Sequence, residues 1–133
     1  MVHARRNCSA AVVLAAGAVL LTGCASAAGP EVEQVASRFV DPSGDPGERC
    51  DLLAPATLAA FEKDMSATCA EAVQDLPLDG GNVEAVEVWG GNAQVRLTGD
   101  TVFLTETTAG WRITSAACTP QVEAPYDCEV DGP

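Results

Sequence analysis

Histidine is nearly missing: in 133 residues it occurs once, as His3, and Lys63 and Tyr126 are the single lysine and the single tyrosine. Lys and Arg number 7 against 19 Asp and Glu, a formal net charge of −12. A chain so poor in clustered cations excludes nucleic acid and an anionic lipid surface as electrostatic partners, because both are held through groups of Lys and Arg. With no histidine after His3, the body of the chain has no Ser-His-Asp or Cys-His nucleophile arrangement. No Cys-x-x-Cys spacing is present either, so neither zinc nor another metal is expected, and no cofactor is implied. Long apolar runs are also absent. The stretch Ala10 to Leu21 would span only about 18 Å as a helix, short of the roughly 30 Å hydrocarbon core.

What is present divides the chain in two. Every acidic residue lies at Glu31 or beyond, while Arg5 and Arg6 stand at the front, followed by the apolar stretch and then Leu21-Thr22-Gly23-Cys24. A charged start, a short apolar region and a small-residue cleavage site read as an export signal. Whether export is by the general or the twin-arginine route stays open, although Asn7-Cys8-Ser9 lacks the hydrophobic residues usual after twin arginines. Leu21-Thr22-Gly23-Cys24 resembles a bacterial lipobox. The resemblance implies cleavage after Gly23 and a diacylglycerol thioether on Cys24, which would place the protein lipid-anchored on the extracytoplasmic face of the cell membrane. A composition of 23 Ala and 12 Gly beside one Lys and one Ile favours GC-rich codons. With the lipobox, this looks like a lipoprotein of a high-GC Gram-positive bacterium.

The expected organisation is a signal peptide over 1–23, a flexible tether over 24–30 rich in small residues, and one domain over 31–133. That domain carries five basic residues against all 19 acids, a formal −14, so repulsion would hold it off an anionic membrane. Cys8 leaves with the signal and Cys24 is taken by lipid. Cys50, Cys69, Cys118 and Cys128 remain, and in an exported domain they read as two disulfides with three pairings open. Cys50 with Cys69 and Cys118 with Cys128 is favoured, because each pair falls within one structural block.

Val32, Val35, Ala36, Phe39 and Val40 recur at helical spacing, predicting a helix that begins near Glu31. Asp41 to Glu48 is dense in turn residues and reads as a solvated loop rather than a calcium loop, since the ligand alternation and distant Glu are missing. Helices follow over 49–53, from Pro55 to Lys63, and from Ser66 to Leu76. Ser66 would be the N-cap of the last, with Cys69, Ala70 and Val73 inward. Beyond Gly81 the period changes to two. Val86 and Val88, then Ala93, Val95 and Leu97, then Val102 to Thr105, then Trp111 to Thr114 predict a four-stranded antiparallel meander separated by tight turns. The fold class is α+β, with N-terminal helices packed on that sheet. Residues 118–128, with two prolines, show no periodicity and read as a pinned loop.

This element order, with Gly110-Trp111-Arg112-Ile113 opening the last strand, resembles the cystatin-like superfamily that includes NTF2-like domains. Gly110 to Ile113, Cys118-Thr119-Pro120 and Pro125-Tyr126-Asp127-Cys128 also look like small uncharacterised lipoproteins of high-GC Gram-positive bacteria. The NTF2-like resemblance implies a cone between sheet and helices in which Asp, His or Tyr can act as catalyst. Tyr126, Glu84 and Glu87 are poorly placed for that, and no catalytic residue is assigned. The expected function is a lipid-anchored binding or interaction module whose partner would be an envelope protein. The alternative is a small-ligand pocket with lyase or isomerase chemistry, lined by Trp89, Phe103 and Trp111, for which core packing is the plainer role.

Overall fold

A computed structural model describes residues 24–133. The expected signal peptide over 1–23 lies outside the described residues.

The first helix, α1 (Cys24–Val40), starts seven residues before Glu31 and takes in the stretch expected to be a tether. Ala25, Ala27 and Ala28 are strong helix formers and carry the helix back to Cys24, with Pro30 inside it. Glu31 and Glu33 therefore sit within the helix rather than at its N-terminus. The expected apolar stripe is correct: Val32, Val35, Ala36, Phe39 and Val40 are all buried. The turn-rich loop is shorter than expected. Asp41 folds it by accepting hydrogen bonds from the Ser43 N–H at 2.9 Å and the Ser43 hydroxyl at 2.7 Å. It ends where Asp45 caps α2 (Pro46–Asp51), its Oδ1 accepting from the Glu48 N–H at 3.0 Å, with Pro46 pre-set for the first turn.

The third helix, α3 (Pro55–Met65), ends on Ser66 in the left-handed conformation, φ 51°. Ser66 is thus a C-cap, not the expected N-cap. Thr68 starts the next helix, α4 (Cys69–Ala72), and the Glu71 carboxylate reaches back to accept from the Thr68 N–H and hydroxyl. Cys69 and Val73 are buried as expected, but Ala70 is exposed and Ala72 takes the inward place. A 3-10 turn over Val73–Asp75 closes the helical half.

The sheet has five strands, not four: β1 (Val83–Trp89), β2 (Asn92–Leu97), β3 (Thr101–Thr107), β4 (Gly110–Pro120) and β5 (Tyr126–Asp131), each antiparallel to the next in chain order. The tail expected to be a loop supplies β5, where Cys128 stands opposite Cys118 and Val130 opposite Ala116. Register puts Val88 against Ala93, Val95 against Val102 and Leu104 against Ile113 on the helix-facing side. On that side Phe39, Phe61, Val95, Val102, Leu104, Ile113 and Val130 have 2 % exposure or less and form one core with Trp111. The helical layer is stitched to the sheet through its backbone. The Ile113 N–H donates to Leu52 O and the Ala54 N–H to Ile113 O, both at 2.8 Å, so the α2 to α3 junction lies along the first half of β4 and β5 along the second.

Candidate functional site

The three aromatics expected to line one cavity are separated. Trp111, 3 % exposed, fills the interior between helices and sheet. Trp89, 50 % exposed, ends β1 on the opposite face, because it alternates with the inward Val88. Phe103 pairs with Gln94 on that same outer face. There it meets Tyr126 edge-on, with ring centroids 5.0 Å apart, and the Gln94 amide donates to the Tyr126 hydroxyl at 3.1 Å. Tyr126, on β5, acts as a packing residue against Phe103 and Gln94.

Both disulfides form in the favoured pairing. Cys50–Cys69 ties α2 to α4, and Cys118–Cys128 ties β4 to β5. Cys24, expected to carry lipid, is the first residue of α1. No described helix is long and apolar enough to cross a membrane.

Two charged residues that the sequence reading passed over are buried. Asp100, in the turn before β3, is 7 % exposed and accepts hydrogen bonds from three backbone N–H groups: Thr101 at 2.7 Å, Cys118 at 2.8 Å and Ala117 at 3.1 Å. Ala117 adopts φ 53°, which turns its N–H and that of Cys118 toward one carboxylate. Burial pushes the Asp100 carboxyl above its ordinary range, outweighing those hydrogen bonds, with the Asp79 charge adding to the rise. Both oxygens are engaged by backbone, so Asp100 is a structural plug and not a poised base.

Arg49, on α2, is 3 % exposed. Its Nε donates to Phe39 O at 2.7 Å, in the last turn of α1, where helix carbonyls lack partners. Its guanidinium lies 5.6 Å from the Phe39 ring centroid. Burial lowers its pKa and the nearby Asp41 charge works against that. A cleft of about 180 Å³ opens here, lined by Arg38, Asp41, Gly44, Asp45, Glu48, Arg49 and Leu52. A second cleft of about 370 Å³ shares Arg38, Glu48 and Leu52 with it and adds Glu31, Asp51 and Arg112. The two together make a charged furrow along α1 and α2.

Only a pattern of spacing could have exposed Asp100 and Arg49 to sequence reading, and neither shows one. Comparison with protein-family models, with curated proteins and with solved structures gives no match.

Proposed function

We propose that this chain is a lipid-anchored, extracytoplasmic protein of the cell envelope that acts by binding rather than by catalysis. The observation that carries the reading is the succession Arg5-Arg6, apolar Ala10 to Leu21 and Leu21-Thr22-Gly23-Cys24. Two disulfides in a domain of this size accord with an oxidising compartment. Binding is favoured over chemistry because Trp111, Phe39 and Phe61 occupy the interior where a catalytic cone would lie, and because the buried carboxylate of Asp100 is engaged by backbone. A cystatin-like or NTF2-like arrangement belongs to the same proposal, supported by helices preceding an antiparallel meander and by Trp111 packing inward from Gly110-Trp111-Arg112-Ile113.

The anchor is tested with Cys24→Ala in the native host. The variant is expected to leave the membrane fraction and to lose incorporation of a fatty-acid analogue. Unchanged membrane association and labelling would overturn the anchor. Crosslinking on intact cells, followed by purification of the anchored protein, would identify an envelope partner.

A further inference from the structure

The two ends of the domain differ in charge, and α1 fixes which of them holds Cys24. At its C-terminal end α1 leads into the loop at Pro42, and a Cβ on Gly80, ahead of β1, would stand 3.9 Å from Pro42 Cδ. A Cβ on Gly81 would stand 3.5 Å from Thr98 Cβ, one on Gly99 3.2 Å from Asp79 Oδ1, and Pro120 lines a cleft with Thr98, Gly99 and Asp100. These loops make one end of the domain, and Asp41, Asp79, Asp100 and Glu123 lie in them. The earlier part of α1 meets the other end. A Cβ on Gly110, at the start of β4, would stand 3.2 Å from Glu31 Oε1, and the Glu106 N–H donates to Gly91 O at 2.8 Å. The β1–β2 and β3–β4 turns therefore lie side by side there. Those turns, Gly90-Gly91 and Thr108-Ala109, carry no charge, and neither do residues 24–30.

α1 is helical from Cys24 and already packs on the core at Ala28. At 1.5 Å per residue Cys24 is about 6 Å from Ala28 along the axis, so no slack of the kind expected of a tether separates the two. A lipid on Cys24 would bring this end of the domain, and not an arbitrary face, to the bilayer. Trp89 stands at this end, beside Gly90-Gly91, and is 50 % exposed. Of the other exposed large hydrophobics among the described residues, Val122 lies between β4 and β5 at the far end. Met65 closes α3, whose opposite terminus, Pro55, is the one that borders Thr107 to Ala109. An indole, apolar in body with one N–H donor, suits the boundary between headgroups and acyl chains. Glu87 and Glu106, on the strands beside the turn, limit the depth, since carboxylates stay in water. We propose that the Trp89 end of the domain rests on the membrane, with the Trp89 indole in the headgroup region of the leaflet that holds the Cys24 lipid. Asp41, Asp79 and Glu123 then point away from an anionic bilayer, the orientation that repulsion favours. The inference rests on the lipid anchor proposed above.

The test is tryptophan fluorescence of the purified lipid-bearing protein in phosphatidylcholine vesicles, with and without bromine on the acyl chains. Trp89 and Trp111 are the two tryptophans and Trp111 is buried, so the difference between wild type and Trp89→Phe isolates Trp89. Brominated lipid is expected to quench the Trp89 emission, more strongly with bromine near the headgroup than near the chain ends. Reconstitution should also cut quenching of Trp89 by aqueous acrylamide about twofold or more. A Trp89→Phe, Val122→Trp protein, with its exposed tryptophan at the far end, should show neither change. Sedimentation with the vesicles reports the anchor separately. Protein that co-sediments while Trp89 stays open to acrylamide and unquenched by bromine, or equal quenching at positions 89 and 122, would overturn the orientation and leave the anchor standing. Protection of Trp89 on intact cells but not in vesicles would overturn it too, by assigning this end to a protein partner. Protein that fails to co-sediment would overturn the anchor and the orientation with it.

Discussion

Asp100 shows how one side chain can hold two distant parts of a sheet together. Its carboxylate takes the N–H groups that Ala117 and Cys118 would otherwise bury without partners, and that of Thr101 beside it. Asp100→Ala should therefore cost about 3 kcal/mol in urea unfolding, the scale of leaving buried donors unpaired. The carboxyl is raised in the folded state, so the part of its contribution tied to protonation is fully present below the ordinary Asp value of about 3.9 and is lost as pH rises through the raised value, while the backbone hydrogen bonds remain. The gap between wild type and Asp100→Ala is expected to widen from neutral to acid pH; a gap that narrows on acidification would show the carboxylate form to be the stabilising one. In the sequence Asp100 is the end of Thr98-Gly99-Asp100, an ordinary turn. Its burial depends on residues 17 and 18 positions away, which no local pattern encodes. Arg49 was hidden for the same reason: a lone Arg on a short helix reads as solvated until the last turn of α1 brings Phe39 O to it. The candidate cleft was for that reason not legible, whereas the four paired cysteines, which need only count and block, were.

At the level of elements, legibility followed continuity of period. α1 was readable because five apolar residues keep helical spacing without interruption, although its start was not, since Ala-rich sequence suits both tether and helix. β1 to β4 announced themselves through alternation against buried partners. In β5, Tyr126, Cys128 and Val130 also alternate with Asp127, Glu129 and Asp131, but two nearby prolines and a frame counted from Cys118 conceal it. Ser66 and Thr68 compete for one cap; Thr68 wins because Glu71 stands three residues later, and Ser66 absorbs the chain reversal with a left-handed φ. The disulfides should act differently on the elements they join. Cys50–Cys69 closes a 19-residue separation between helices that lack a backbone ladder, so a Cys50→Ser, Cys69→Ser protein should lose about 3 kcal/mol of global stability. Cys118–Cys128 spans only 10 residues between strands already hydrogen-bonded. Its double Ser variant should lose less, with faster amide exchange confined to Tyr126–Asp131. Equal global losses, or exchange spreading through β1 to β3, would contradict this division.

Over the molecule as a whole, charge works against compactness. Residues 24–133 carry a formal −14, and the ion pair among the described residues, Arg38 to Glu48 at 3.9 Å, is exposed on both sides. Such a pair contributes little, whereas repulsion among 19 acids acts across the entire surface. The fold is held instead by one continuous apolar core shared between helices and sheet, by the Leu52 to Ala54 stitch along β4, and by two covalent links. Stability should therefore respond to salt in the direction opposite to that of a protein resting on surface ion pairs. Raising NaCl from about 0.02 M to about 0.5 M shortens the screening length from roughly 20 Å to a few Å and quenches most of the repulsion. The thermal midpoint at neutral pH is expected to rise by several degrees, equivalent to a gain on the order of 1 kcal/mol. Reversing the charge of an exposed acid far from the furrow, as in Glu129→Lys, should raise the low-salt midpoint and reduce the salt increment together, because both act on the same repulsion. A midpoint that falls with salt would instead place attractive pairs, and not the apolar core, at the centre of the stability of this domain.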